Sequence, residues 1–253
     1  MPVMLDAVVS LADSLLNPSA FNDYCPNGLQ LAGKSSVEKI VCGVTASQAL
    51  IDRAIEAKAD LLLVHHGYFW KGEDPCITGI KYRRIKALME HGISLLAYHL
   101  PLDAHPELGN NVQLAKLLGI EVAGGLDPAD PYSVGNIGYL PDAISAEDFC
   151  QSIAAALGRK PLLVKAGDHT VKSVAWCTGA AQGYIEQAAA LGVDAYLSGE
   201  ISEPTVHSAR ELGVHYIAAG HHATERYGVQ ALGQRLATEL GIGCEFIDID
   251  NPA

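Results

Sequence analysis

Histidine and carboxylate residues are concentrated in four short stretches of the sequence, and these stretches set the chemistry the chain can perform. They are the pair His65-His66, the group His99, Asp103 and His105, the single Glu200, and the group His221, His222 and Glu225. Imidazole and carboxylate groups without thiolates favour Zn, Mn, Fe, Co or Ni at a catalytic rather than a structural site. We therefore predict a metal site.

Five side chains form the predicted set of metal ligands: His65, His66, Asp103, His221 and Glu225. His221 and Glu225 are four residues apart where a helix begins, so both side chains can project to one side. His65 and His66 are adjacent at a strand end, where successive side chains diverge and could reach two different ions. Five ligands exceed what one tetrahedral ion takes from protein, so the sequence predicts two divalent cations roughly 3.5–4 Å apart.

Each group of ligands also has a structural alternative. A core histidine at a strand end would explain the pair His65-His66, an ordinary helix pair would explain His221 with Glu225, and a turn would explain Asp103. His99, His105 and Glu200 are candidate supporting groups or proton carriers, with His99 and Glu200 as the predicted catalytic residues, and a purely structural role is an equal alternative for all three. The joint placement of the groups favours the metal site.

That placement follows from the predicted strands. Apolar runs at 61–64, 93–98, 194–197 and 214–218 read as strands, and each group of site residues comes directly after one of them. Ligands bind at the carboxyl edge of open α/β sheets, so four groups at that edge indicate a shared site. Strands alternate with helical patterns along the chain, which predicts an α/β fold with mainly parallel sheets.

Glycine, aspartate and proline concentrate at 124–131, which predicts a domain boundary there. We expect a first α/β domain at 1–125 plus 225–253 and a second at 126–224. The final helix and strand are assigned to the first domain because this would bring distant site residues together.

Composition excludes several classes of protein. Of the 253 residues 49% are hydrophobic and 18% charged, which is typical of a globular core. The formal charge of −12 and the lack of a basic cluster count against nucleic acid and anionic membranes as partners. The six cysteines occur singly and read as reduced core residues. Because no signal peptide or membrane-length apolar run is present, we expect a cytoplasmic protein.

Three further motifs have less specific interpretations. Gly109-Asn110-Asn111 predicts a helix cap formed by an asparagine side chain. The stretch from Gly179 to Gly183 is interpreted as a tight turn, although its backbone N–H groups could hold a phosphate. Phe69-Trp70 could be a lid or a stacking platform for a base, and a buried or interface pair is an equal alternative.

At these residues the chain resembles the NGG-interacting-factor-three-like family of dinuclear-metal hexameric proteins, whose YbgI-type bacterial members carry the name GTP cyclohydrolase type two homologue. The resemblance runs nearly end to end. It rests on the stretches 26–30, 64–67 with 69–70, 98–103, 109–111, 198–200 and 220–226. It implies that the five predicted ligands bind two divalent cations with Glu225 bridging. It also implies two α/β domains with the dinuclear site near the domain interface, and a ring-shaped homohexamer.

Two functions are compatible with these residues. The first is a metal-dependent hydrolase that acts on a nucleotide or similar small anion, with the cations activating a water molecule. The second is a non-enzymatic, metal-binding hexameric ring that serves as a scaffold or binds a ligand or nucleic acid.

Overall fold

The computed structural model describes residues 1–253 and divides the chain into two compact units. The first comprises Met1–Leu108 and Gly228–Asp250, and the second comprises Gly109–Tyr227 and Asn251–Ala253. The strands are β1 Val3–Met4, β2 Gly28–Leu31, β3 Ser36–Val37, β4 Lys39–Thr45, β5 Leu61–His66, β6 Ser94–Ala97, β7 Glu121–Gly125, β8 Asn136–Ile144, β9 Leu162–Val164, β10 Val171–Cys177, β11 Ala195–Ser198, β12 His215–Ala218 and β13 Gly243–Phe246. The α-helices are α1 Leu5–Leu16, α2 Gln48–Glu56, α3 Gly79–Glu90, α4 Leu100–Ala104, α5 Asn110–Leu118, α6 Ala146–Leu157, α7 Ile185–Ala190, α8 Glu203–Leu212, α9 His221–Thr224 and α10 Arg226–Leu240. None of these helices is long and apolar enough to cross a membrane.

The first unit is built on a five-stranded sheet with the order β13-β4-β5-β6-β2. β13, β4, β5 and β6 are parallel, and β2 pairs antiparallel with β6. The final strand of the chain therefore lies beside β4. A short antiparallel ribbon of β1 and β3 completes the unit.

Both faces of this sheet are covered by helices, as β5 illustrates. Leu61 and Leu63 pack with α1 and α10 on one face, whereas Leu62 and Val64 pack with α2 and α3 on the other. All four side chains are fully buried. The continuous apolar run in the sequence thus encodes a strand buried on both sides, which is typical of parallel sheets.

The second unit contains a six-stranded sheet with the order β7-β8-β10-β11-β12-β9. Its centre is parallel, since β10, β11 and β12 run in the same direction. The flanking strands β7, β8 and β9 pair antiparallel. The predicted α/β class with mainly parallel sheets is confirmed, and this second sheet adds antiparallel edges that the strand–helix alternation did not indicate.

The division of the chain differs from the boundary expected at 124–131. Gly124 and Gly125 lie in β7, which pairs with β8, so the glycine-rich stretch belongs to a hairpin inside the second unit. Leu114 and Ile120 join the core of that unit and place 109–125 in it.

The cysteines agree only in part with their interpretation as core residues. All six are free thiols, and Cys25, Cys42 and Cys177 are buried. Cys76 is exposed. It lies in the segment before α3, outside every strand and helix.

Candidate metal-ligating residues

The carboxyl ends of β5 and β6 bring three imidazole rings together in the first unit. His65 and His66 are the last residues of β5, and His99 follows β6 by two residues. One ring nitrogen from each of the three lies within 4.8 Å of the others. The predicted ligands His65 and His66 and the predicted proton carrier His99 therefore share one edge of the sheet.

Hydrogen bonds fix the orientation of two of these rings. His65 Nδ1 donates to the Tyr98 carbonyl oxygen at 2.9 Å, and His99 Nδ1 donates to Asp23 Oδ1 at 2.7 Å. A carbonyl and an ionised carboxylate only accept, so each ring carries a hydrogen on Nδ1, and in its neutral form it has its lone pair on Nε2. Metal-binding histidines are typically oriented in this way by a partner on the other nitrogen.

His66, the last residue of β5, is the third imidazole of this cluster. Its Nδ1 forms a hydrogen bond of 3.0 Å with Thr45 Oγ1, at the end of β4. The Trp70 ring centroid lies 5.9 Å from that of His66 and 5.0 Å from that of His99. The indole Nε1 donates to the Gly67 carbonyl at 3.2 Å, which holds the tryptophan against the two imidazoles. Trp70 therefore forms one wall of the cluster.

Asp103 lies next to the cluster, in a short helix rather than in a turn. α4 spans Leu100–Ala104, and Pro101 is tolerated there because the first turn of a helix leaves its N–H groups without intrahelical partners. Asp103 is buried, with 7% of its surface exposed, and its Oδ1 lies 3.5 Å from His65 Nε2. The helix thus fixes the position of the carboxylate.

Asp23 and Asn27 support the cluster, and residue type and spacing did not identify them. The Asp23 carboxylate accepts hydrogen bonds from His99 Nδ1, Asn27 Nδ2 and the Leu100 N–H. Burial raises the pKa of Asp23, but hydrogen bonds from His99 and Asn27 outweigh it and lower the pKa to about 2. The only sequence signal was Asn27, which contributed to the family resemblance without a role.

His105 lies apart from these groups and has a structural role. Its Nδ1 accepts hydrogen bonds from the N–H groups of Glu107 and Leu108, at 3.1 and 3.0 Å. Burial lowers the pKa of His105, which keeps the accepting nitrogen unprotonated.

The second unit brings together His221, Glu225 and Glu200. His221 begins α9 and Glu225 follows its last residue, so the spacing of four places both side chains on one side. His221 Nε2 lies 3.1 Å from Glu225 Oε2, and His221 Nδ1 lies 2.7 Å from Glu200 Oε1. Glu225 is almost fully buried, at 3% exposure, whereas Glu200 is partly exposed.

Two carboxylates around one imidazole create a local excess of negative charge. Burial lowers the pKa of His221, but the hydrogen bonds and charges of Glu225 and Glu200 prevail and raise it to about 9. At neutral pH His221 therefore carries a proton on Nε2, facing Glu225. A divalent cation at Nε2 would replace this proton and neutralise the carboxylate, so the donor set fits a metal.

Glycines at the strand ends make room for these side chains. A Cβ on Gly179, just after β10, would overlap Glu225 Oε1 and lie 3.2 Å from His221 Nε2. A Cβ on Gly199, after β11, would lie 2.7 Å from the Cα of His221. The stretch from Gly179 to Gly183 bends at Gly179 and Ala180 and enters a 3-10 helix at Gln182–Tyr184 rather than forming one tight turn, and its first glycine also makes room for the Glu225 carboxylate.

Asn111 supports this edge from inside the second unit, contrary to the expected helix cap. α5 begins after Gly109 without any side-chain cap. Asn111 is fully buried, and its Oδ1 accepts a hydrogen bond of 3.0 Å from the Thr178 N–H. Its carbonyl accepts another from Trp176 Nε1 at 2.9 Å. Because its polar groups hold the end of β10, Asn111 fixes the backbone just before Gly179.

Together these features define a class: two-unit α/β proteins with histidine and carboxylate side chains at the carboxyl ends of parallel strands. A family model described as Duf34/NIF3 (NGG1p interacting factor 3) matches residues 3–252. The chain belongs to this family, which confirms the resemblance predicted from its motifs.

Close relatives cover the whole length of the chain. A Pseudomonas aeruginosa protein named GTP cyclohydrolase 1 type 2 homolog is 60% identical over 253 residues, which is 100% of both chains. An Escherichia coli K12 protein of the same name is 53% identical over 244 residues, or 96% of this chain and 97% of the relative.

Solved structures show the same fold. One, described as protein ybgI of unknown function, superposes with a TM-score of 0.95 at 51% identity and covers 99% of this chain and 100% of the other. A Thermus thermophilus protein gives a TM-score of 0.91 at 32% identity, with the same coverage.

Proposed function

We propose that this protein binds two divalent cations through His65, His66, Asp103, His221 and Glu225, and that it is a metal-dependent hydrolase of a nucleotide or similar small anion. The observation that carries the proposal is the anchoring of His65, His66 and His221, each of which has a hydrogen-bond partner on Nδ1. This leaves Nε2 directed to the site, as metal ligation requires. The name GTP cyclohydrolase 1 type 2 homolog, carried by relatives, supports the family-level function.

Glu225 is the proposed bridging ligand. Its Oε2 is directed to His221, whereas its Oε1 lies over Gly179, so the two oxygens have separate directions. Divalent cations, when bound, lower the pKa of a water molecule and polarise the bond under attack. His99 and Glu200 are the proposed proton carriers, because the neutral His99 ring has its lone pair on Nε2 and the partly exposed Glu200 carboxylate can exchange protons with solvent.

A small anion is favoured over a polynucleotide as substrate. The Arg159 guanidinium packs against Gly220, with NH1 2.6 Å from where a Cβ would lie, and Gly220 directly precedes His221. This places one positive charge beside a proposed ligand in a chain whose net charge is −12. A single phosphate or carboxylate group would be attracted locally, whereas a long polyanion would meet the acidic remainder of the surface.

We further propose that the chain assembles as a ring-shaped homohexamer in the cytoplasm. The hexameric ring is what the resemblance to this family implies. Six free thiols suit a reducing compartment.

Elemental analysis of the untagged protein tests metal binding. We expect two divalent cations per chain in the wild type and their loss in Glu225→Ala. His207→Ala is the matched control, because His207 forms an exposed pair with Glu203 at the same spacing of four residues. Equal metal content in all three proteins would contradict the ligand assignment.

Turnover of a panel of nucleotides by the metal-loaded protein then tests the reaction. We expect hydrolysis by wild type and His207→Ala and none by Glu225→Ala. A loaded wild type that retains its metals and its assembly but turns over nothing would favour the alternative, a non-enzymatic metal-binding ring that acts as a scaffold or captures a ligand or nucleic acid.

A further inference from the structure

We propose that Asp23 is a positioning residue for the candidate site: it fixes His99 in the tautomer whose Nε2 accepts a hydrogen bond from a water or substrate beside His65 and His66. This inference rests on the proposed function and deepens it, because it assigns His99 the part of a hydrogen-bond acceptor. It also gives a role to the segment 23–27, which contains none of the five proposed ligands but contacts His99.

The Asp23 carboxylate is held rigidly. Oδ1 accepts from His99 Nδ1 at 2.7 Å and from the Tyr24 N–H at 2.6 Å. Oδ2 accepts from Asn27 Nδ2 at 2.8 Å and from the Leu100 N–H at 2.9 Å. Only 3% of the side chain is exposed. Because both oxygens have two donors, rotation of the carboxylate would break several hydrogen bonds at once.

His99 is held at its backbone as well as at its ring. Its N–H donates to Asn27 Oδ1 at 2.7 Å. The Trp70 ring lies edge-on to the imidazole, with 5.0 Å between centroids, and the Tyr24 ring lies at 6.4 Å. These contacts oppose a flip of the ring that would exchange its two nitrogens.

The chemistry of the partner decides the tautomer. A carboxylate cannot donate, so His99 Nδ1 must carry a hydrogen, and in the neutral ring Nε2 then presents a lone pair. Nε2 is then the nitrogen left for the cluster, where the rings of His65 and His66 lie 5.1 and 5.8 Å away between centroids. An asparagine in place of Asp23 could donate to Nδ1 and allow the opposite tautomer, whose Nε2–H would repel an incoming donor.

A second interpretation of the same residues is a separate metal site. Ligand atoms of Asp23, Cys25 and His99 lie within 4.8 Å of one another. The Asp23 oxygens, however, already accept four N–H groups, which a cation would have to displace. The contacts therefore favour orientation of His99 over metal ligation by Asp23.

The test is nitrogen-15 NMR of histidine-labelled, zinc-loaded protein, with the His99 signals assigned from a His99→Gln spectrum. We expect the Nδ1–H tautomer in the wild type, the Nε2–H tautomer in Asp23→Asn, and return of the Nδ1–H tautomer in Asp23→Glu. Asp13→Asn is the matched control, because Asp13 accepts a hydrogen bond from the Tyr98 hydroxyl and does not contact His99. It should keep the wild-type tautomer.

Elemental analysis of the same samples separates positioning from ligation. Asp23→Asn should retain the wild-type metal content, and where a nucleotide is hydrolysed its kcat should fall roughly 10- to 100-fold with KM unchanged. An unchanged His99 tautomer in Asp23→Asn, or loss of metal as in Glu225→Ala, would overturn the inference. A wild-type protein that binds no metal would instead contradict the proposed function. The tautomer of His99 can still be measured in that protein, so the two failures are distinguishable.

Discussion

Gly179 shows how the absence of one side chain controls a site built from others. Its backbone φ is +68°, and a Cβ there would overlap the Glu225 carboxylate. The residue therefore has two reasons to be glycine, one conformational and one steric. The steric reason depends on Glu225, which lies more than 40 residues further along the chain.

Gly179→Ala should therefore impair metal binding more than it impairs folding. Displacing Glu225 should weaken metal affinity roughly 10- to 100-fold. The left-handed backbone should cost about 1–2 kcal/mol of stability. Metal titration and chemical denaturation measure the two effects. Gly183→Ala is the control, because nothing lies within 4 Å of a Cβ at that position; an equal loss of metal affinity there would disprove the steric argument.

Residue type and spacing were sufficient to predict the groups that could act as ligands, but not the residues that hold them. His221 and Glu225 are recognisable because helix geometry relates positions four apart. Asp23 and Asn111 act through partners distant in sequence, His99 and Thr178. No local pattern encodes such contacts, so these roles emerge only from the fold.

At the level of elements, each unit has an aspartate just before a central strand whose carboxylate accepts hydrogen bonds from the backbone of the neighbouring strand. Asp60 precedes β5 and accepts hydrogen bonds from the N–H groups of Glu38 and Lys39, at the start of β4. Asp194 precedes β11 and accepts them from Lys172 and Ser173, in β10. Each carboxylate thus fixes the register of two neighbouring parallel strands at the edge opposite to the candidate ligands.

Asp194→Asn should destabilise the protein at neutral pH and much less in acid. Burial raises the pKa of Asp194, but hydrogen bonds from Ser173 and Lys172 outweigh it and keep the pKa below 3.8. Since the folded-state pKa is lowered, the stabilisation is complete above the unfolded value and is lost as the pH falls through the folded one. We expect Asp194→Asn to lower the free energy of unfolding by about 1–2 kcal/mol at pH 7, and by less than this below pH 3.8.

Urea denaturation of wild type and variant at several pH values measures this difference. Asp168→Asn is the control, because Asp168 is fully exposed and forms only a 3.7 Å ion pair with Lys165. Such surface pairs contribute little. If the loss of stability in Asp194→Asn is the same at every pH, the negative charge of Asp194 does not contribute to holding the two strands together.

Most elements were predictable from periodicity, and the exceptions have physical causes. The strand β7 ends in the glycine-rich stretch interpreted as a boundary, and the short strand β2 contains no continuous apolar run. Both pair only along part of the sheet edge, with a register shift in each pairing. A strand that forms through pairing with its neighbour, without an apolar run of its own, is difficult to predict from the sequence.

At the scale of the whole molecule, both units use the same plan. Each contains three consecutive parallel strands linked by helices, β4-α2-β5-α3-β6 in the first and β10-α7-β11-α8-β12 in the second. In each, the candidate site residues follow the carboxyl ends of those strands. The placement of the candidate residues at this edge was therefore predictable from strand order alone, whereas the chemistry proposed for them depends on a ligand that no sequence pattern specifies.

If the proposed ligands hold cations in the folded chain alone, metal should stabilise the whole protein. A ligand at 100 times its Kd contributes about 2.7 kcal/mol of stability when it binds only the native state. For a chain of this size that corresponds to a rise in Tm of roughly 5–10 °C.

Calorimetry of protein stripped with chelator and then titrated with zinc or manganese should show this rise in the wild type and in His207→Gln. Glu225→Gln removes the charge of the proposed bridge but keeps its shape, so its Tm should stay near that of the stripped protein. A rise of equal size in all three proteins would mean that the cations act elsewhere on the surface, and it would remove the main thermodynamic argument for a metal site at these five residues.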